Sequence, residues 1–158
     1  PFQLRIIAKA SLGSFPFIGW HLRRTGHVLV RRDNPGPQVF KQLGEMMQSG
    51  TSLIVFPEGT RSADGRVGRF RTGIFRLAIE SGYTIVPIAV RGTRHVMMKG
   101  YVMTCPGEVT LDVFDPVPTD GLGIDEARRL ADRVQAVVEA GLGQSRGEVP
   151  GAPAKEEA

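Results

Sequence analysis

The sequence predicts an α/β fold, a single domain with a mostly parallel sheet flanked by helices. Runs rich in β-branched residues at 27–31, 52–56, 84–90 and 109–114 are bounded by turn formers, as strands are. Between and after them, apolar residues recur at spacings of three and four, the period of amphipathic helices. The middle of the chain therefore alternates β-α-β-α-β, which calls for a largely parallel sheet with helices on its faces. A length of 158 residues suits one domain, and 41% hydrophobic and 23% charged residues suit an ordinary globular core.

In chain order, "HVLVR" (27–31) is the first expected strand. "QVFKQLGEMMQSG" follows, with Val39, Leu43, Met46 and Met47 on one helical face and Gly50 at its end. "SLIVF" (52–56) is the second strand and runs directly into Pro57-Glu58-Gly59-Thr60-Arg61-Ser62. "GIFRLAIESG" predicts a short helix from about Ile74 to Ser81, and "TIVPIAV" (84–90) and "VTLDVF" (109–114) predict two more strands. "IDEARRLADRVQAVVEA" places Ala127, Leu130, Ala131, Val134, Val137 and Val138 on one face of a final helix that Gly141 ends. The domain is expected over 1–140. The Gly-, Pro- and charge-rich stretch 141–158 reads as a disordered tail.

Charge is unevenly placed. Residues 1–100 hold 15 Lys or Arg against 5 Asp or Glu, a balance of +10, and residues 101–158 hold 5 against 11, a balance of −6. A positive field over a site favours anionic substrates or anionic lipid surfaces. Nucleic acid is not the expected partner, because the basic residues have little aromatic interleaving and no recognition helix or zinc-ligand set accompanies them. Cys105 is the single cysteine, so no intrachain disulfide forms, which favours a reducing, cytoplasm-facing location. No apolar run reaches the roughly 18 residues of a spanning helix.

Ligands of parallel α/β sheets sit beyond the carboxyl ends of the strands. Pro57 cannot donate to a ladder and helps to end the strand. Gly59 permits a positive φ or a close approach to a ligand. Thr60 and Ser62 offer hydroxyls on either side of Arg61, whose planar fork suits phosphate. Glu58 is placed to accept a hydrogen bond from a ligand hydroxyl or to pair with Arg61. Arg32, closing "GHVLVRR", shares the rim with Arg61 if the two strands run parallel. The glycines of the arginine-rich "SADGRVGRFRTG" predict a mobile loop, either a solvated charged face or one that meets phosphate groups of a cofactor or lipid headgroups. The three histidines, His21, His27 and His95, have no aspartate at a spacing that would orient them. No metal-ligand cluster, Walker-type loop or GxSxG elbow occurs in the sequence.

These residues together resemble the glycerolipid acyltransferase family, whose best known members are 1-acylglycerol-3-phosphate acyltransferases. The block Phe56-Pro57-Glu58-Gly59-Thr60-Arg61-Ser62 matches that family's most specific motif. "GHVLVRR" matches its glycine-started strand ending in arginine, and Val86-Pro87-Ile88 its later valine-proline strand. "AKASLGSFPFIGW" (8–20), including Lys9, resembles the segment before the arginine strand, and the likeness runs from about residue 1 to 140.

The resemblance implies a glycerol-3-phosphate acyltransferase-like fold and acyl transfer from an acyl-CoA or acyl-acyl carrier protein thioester to lysophosphatidate, with no cofactor or metal. It implies that Arg32 and Arg61 hold the acceptor phosphate, that Glu58, Gly59, Thr60 and Ser62 shape the acceptor site, and that Lys9, Pro57 and Pro87 support it. It also implies a membrane surface as partner, at the cytoplasmic face of a bacterial inner membrane. The family's catalytic element, a histidine followed after four residues by an aspartate, has no match among the three histidines. The catalytic His and Asp are therefore expected upstream of Pro1, and the chain alone is expected to be inactive. Two alternatives remain open at this point: acylation of another lyso-lipid, such as a lyso-ornithine lipid, or a non-catalytic module that binds anionic lipid.

Overall fold

The computed structural model describes residues 3–30, 36–62, 64–96 and 105–144, with His95 described by its backbone alone. Arg32 and most of the expected tail, residues 145–158, lie outside the described residues. The elements run β1 (Leu4–Lys9), a 3-10 turn (Ala10–Ser14), α1 (Pro16–Arg24), β2 (Val28–Val30), α2 (Pro37–Gln48), β3 (Ser52–Ile54), α3 (Gly73–Ser81), β4 (Ile88–Arg91), α4 (Thr93–Val96), β5 (Thr110–Val113), a second 3-10 turn (Ile124–Glu126) and α5 (Ala127–Gly141).

β1, β2 and β3 form a parallel sheet in the order β2-β1-β3. The expected strands around residues 27–31 and 52–56 do run parallel, but β1 lies between them. The sequence pattern missed this central strand. Its six residues "LRIIAK" carry charges at Arg5 and Lys9, and Leu4 and Ile6 are exposed, so neither strict alternation nor a continuous apolar run marks it. His27 helps to fix the register: its Nδ1 accepts the backbone N–H of Ile6 at 3.1 Å.

β4 and β5 correct a second expectation. They pair antiparallel, with Ile88 opposite Val113 and Arg91 opposite Thr110, in a separate two-stranded sheet. Pro87 has no N–H to give, so the paired part of "TIVPIAV" begins after it, at Ile88. The buried Pro87 still contributes its carbonyl, which accepts the Phe114 N–H at 3.0 Å.

Two apolar clusters hold the elements. Val28, Val30 and Leu43 meet Leu77 under the parallel sheet. Phe75, Ile79, Ala89, Leu130, Ala131 and Val134 belong to the second cluster, between α3, β4 and α5. α3 thus has a foot in both, and each fully buried side chain of Leu or Phe size contributes about 1.5–3 kcal/mol. This matters because α3 begins where the motif loop ends. Gly82 terminates α3 with φ 65°, a left-handed cap that suits glycine.

Candidate anion-binding site

The carboxyl ends of the parallel strands define one rim. In the sheet register, Lys9 lies opposite Val30 and Ile6 opposite Ile54. Three residues beyond Ile6 is Lys9, and three beyond Ile54 is Pro57. The loop therefore starts level with the exposed end of β1, and β2 ends at the same level on the other side of β1. Lys9 and the Pro57–Ser62 segment share the rim; the position of Arg32 falls outside the described residues.

Local chemistry shapes the turn. The Gly59 N–H donates to the Phe56 carbonyl at 3.0 Å, with Pro57 second and Gly59 fourth in the turn, positions these residues favour. Gly59 has φ 70°, which penalises any residue with a Cβ. An added Cβ there would also sit 2.9 Å from Arg71 Nε, so Arg71 packs directly over the glycine.

Glu58 does not pair with Arg61. Its Oε2 accepts the backbone N–H of Gly68 at 2.7 Å, closing the loop on itself. Half-burial pushes the Glu58 carboxyl up from its ordinary pKa, and the Gly68 N–H pulls it partly back. Arg61 is exposed, and its side chain has no partner among the described residues. The Thr60 hydroxyl is also exposed, with one long contact of 3.4 Å to the Arg61 carbonyl. Ser62 is different. Its hydroxyl donates to Asp64 Oδ1 at 3.0 Å and accepts the Gly65 N–H at 2.8 Å, so it builds the turn. The Arg66 N–H and then the Ser62 hydroxyl hold the Asp64 carboxyl below its ordinary range.

Side chains of α5 and a residue just beyond it hydrogen-bond the backbone of the arginine-rich loop. Gln135 Oε1 accepts the Phe70 N–H at 3.1 Å, and Arg128 Nη1 donates to the Phe70 carbonyl at 2.8 Å. Gln144 bridges the Val67 N–H and the Gly65 carbonyl at 3.0 and 2.8 Å. Phe70 itself is buried and stacks on Phe75 with ring centroids 6.2 Å apart. The Arg71 N–H returns to the Pro57 carbonyl at 2.9 Å. The segment from Gly65 to Arg71 is thus hydrogen-bonded along its length, on the C-terminal side of Arg61.

Gln135, Gln144, Arg128 and Phe70 were not among the expected site residues. One of them carried a signal: Gln135 falls in the apolar stripe of Ala131, Val134 and Val138, and a polar residue there needs a buried partner. Of the histidines, His27 accepts the Ile6 N–H, His21 lies exposed on α1, and the side chain of His95 lies outside the described set. Elsewhere, an open groove of about 480 Å³ between α2 and α3, lined by Phe40, Lys41, Glu45 and Glu80, holds none of the motif residues.

The model of the acyltransferase family matches residues 1–91, more than half of the chain. The chain belongs to the acyltransferase family. Within it, the chain is 40% identical over 100 residues to a chloroplastic 1-acyl-sn-glycerol-3-phosphate acyltransferase of Arabidopsis thaliana, covering 62% of this chain and 28% of that protein. A chloroplastic relative of the same name from Brassica napus is 35% identical over 139 residues, covering 84% of this chain and 40% of the relative. The crystal structure of the 1-acyl-sn-glycerophosphate acyltransferase PlsC from Thermotoga maritima superimposes with a TM-score of 0.76 at 31% identity, over 93% of this acyltransferase chain and 58% of PlsC. The chain thus spans less than half the length of the two plant relatives.

Proposed function

We propose that this acyltransferase transfers a fatty acyl group from an acyl-CoA or acyl-acyl carrier protein thioester to the free hydroxyl of lysophosphatidate, forming phosphatidate. The observation that carries the reading is Arg61, exposed and with no side-chain partner among the described residues, on a hydrogen-bonded loop at the carboxyl rim of the parallel sheet. The names of the plant relatives and of PlsC support the same substrate class.

In this reading Arg61 and Arg32 hold the acceptor phosphate by charge-assisted hydrogen bonds, and Thr60 contacts the glycerol portion. Lys9 adds positive potential from the end of β1. A general base removes the acceptor proton, the oxygen attacks the thioester carbonyl carbon, the C–S bond breaks, and the thiol leaves with a proton. The base is a histidine held by an aspartate outside residues 1–158. The histidine spacing in this chain supports that assignment, as does the use of His27 Nδ1 by Ile6. No cofactor beyond the thioester co-substrate is required, and the lipid acceptor is taken from a membrane surface at the cytoplasmic face.

The test compares residues 1–158 with a form extended upstream to include a His-x4-Asp element, each given acyl thioester and lysophosphatidate. The extended form is expected to produce phosphatidate. The 158-residue chain is expected to show no turnover, since general-base catalysis contributes about a hundred- to ten-thousand-fold. Acylation of a lyso-ornithine lipid in preference to lysophosphatidate would overturn the acceptor assignment. Turnover by the chain alone would overturn the placement of the base.

A further inference from the structure

We infer that the turn between Arg61 and Arg66, with Arg94 laid across it, is a docking surface for an acidic carrier protein that delivers the acyl thioester. Two separate stretches of chain build it. The Ser62 hydroxyl accepts the Gly65 N–H at 2.8 Å and so closes a turn, with Arg61 and Arg66 at its two ends. Arg94 reaches the same turn from 30 residues away: its Nη1 donates to the Asp64 carbonyl at 2.6 Å. Gly65 makes room for it. This glycine has φ 89°, and a Cβ there would sit 3.2 Å from Arg94 Nη1. Arg94 lies on α4, just beyond the carboxyl end of β4, as Arg61 lies beyond that of β3. The fold thus gathers cations from two strand ends, the places where ligands of α/β sheets sit.

The charge at this turn is one-sided. Residues 59–71 hold four arginines and one acid, Asp64. The Asp64 Oδ1 accepts the Ser62 hydroxyl and the Arg66 backbone N–H, each at 3.0 Å, so this acid shapes the turn. A run of like charge is by default a solvated face. Here, however, the third arginine comes from a distant element and is bonded onto the turn, which local sequence does not demand.

The reaction says which anion such a surface would meet. Acyl transfer joins two substrates at one rim. With Arg61 given to the acceptor phosphate, Arg66 and Arg94 stand across the turn for the donor. A nucleotide-bearing donor is normally taken up in a concave pocket that buries most of it. An acidic protein face instead meets exposed, spread-out cations, which speed its encounter and fix its register. Arg61, Arg66 and Arg94 are all exposed, which suits the protein partner. A carrier protein seated there presents its thioester beside the acceptor held at Arg61.

The inference rests on the acyl-transfer reading for its purpose, but carrier binding is measured with no acceptor present, so the two fail separately. The probes are an acyl carrier protein charged with a fatty acyl group and the matching acyl-CoA. Binding of the 158-residue chain to the labelled, charged carrier protein, followed by fluorescence anisotropy, is expected to weaken about tenfold from roughly 0.05 M to 0.3 M salt. Arg66→Gln and Arg94→Gln each remove one charge, and the glutamine at 94 keeps a donor for the Asp64 carbonyl. Each is expected to weaken carrier binding about threefold to fivefold. Arg94→Lys keeps the charge and is expected to recover most of the loss. In acyl-transfer-competent protein, both glutamine variants are expected to raise KM for the carrier thioester by the same factor relative to KM for acyl-CoA. Absent or salt-independent carrier binding by the unaltered chain would overturn the proposal, whatever the folding of the variants. An equal rise in KM for acyl-CoA would overturn it in favour of a site for the phosphates of the nucleotide. A rise confined to lysophosphatidate would overturn it in favour of further acceptor cations. Unchanged carrier binding in both glutamine variants would overturn it and leave a solvated face.

Discussion

Glu58 Oε2 accepts the backbone N–H of Gly68 at 2.7 Å, so the acid beside the motif arginine serves the loop backbone rather than Arg61. This division of labour separates residues that build the loop from residues it presents, and each class has its own measurable signature.

The two loop carboxylates should give stability opposite dependences on pH. Burial, the larger cause, raises the Glu58 pKa, so the folded chain keeps a proton that the unfolded chain has lost. The contribution of Glu58 is therefore fully present below the ordinary carboxylate pKa and is lost as pH rises through the raised value. Asp64, lowered by the Arg66 N–H and the Ser62 hydroxyl, contributes above the ordinary value and loses that contribution as pH falls through its lowered one. Glu58→Gln keeps an oxygen for Gly68 and removes the charge. Denaturant midpoints measured from acid to neutral pH should lose the Glu58 slope in this variant; an unchanged profile would contradict the assignment.

Gln135→Ala should destabilise the fold by about 1–3 kcal/mol, because it leaves the buried Phe70 N–H without its acceptor. Equilibrium unfolding measures this. Gln135→Leu fills the same space without restoring the acceptor, so it should recover little. A fully stable Gln135→Leu would show that the side chain acts by packing alone.

Gly59→Ala should cost about 1–3 kcal/mol, since the position has φ 70° and lies under Arg71. The double variant with Arg71→Ala removes the crowding but not the backbone strain. Thermal unfolding of the single and double variants separates the two terms, and a neutral Gly59→Ala would contradict both.

Much of this architecture was legible in the sequence, and the gaps have physical causes. Leu43, Leu130 and Val134 fall on helical stripes with the correct period, so α2 and α5 were found. β1 was not, because its neighbours in the sheet come from residues 28–30 and 52–54, and only that pairing makes "LRIIAK" a strand. The motif block located the rim through Pro57 and Gly59, whose constraints act within a turn. The roles of Glu58 and Ser62 depended on Gly68, Gly65 and Asp64, and the hydrogen bonding of the loop on Gln135 and Gln144, 65 to 79 residues from their partners. Local composition reads glycines as freedom, while the fold supplies the bonds that remove it.

The acceptor titration of Arg61 variants tests the central claim most directly. Arg61 carries no structural bond among the described residues, so Arg61→Ala should leave the unfolding midpoint unchanged. In acyl-transfer-competent protein it should lower kcat/KM for lysophosphatidate by about one to two powers of ten, the worth of a charge-assisted hydrogen bond of roughly 1.5–3 kcal/mol, with little change for the thioester. Arg61→Lys should recover only part of the loss, because an ammonium lacks the planar fork. Acceptor kinetics of Arg61→Ala equal to those of the unaltered protein would contradict the assignment of this rim as the phosphate site.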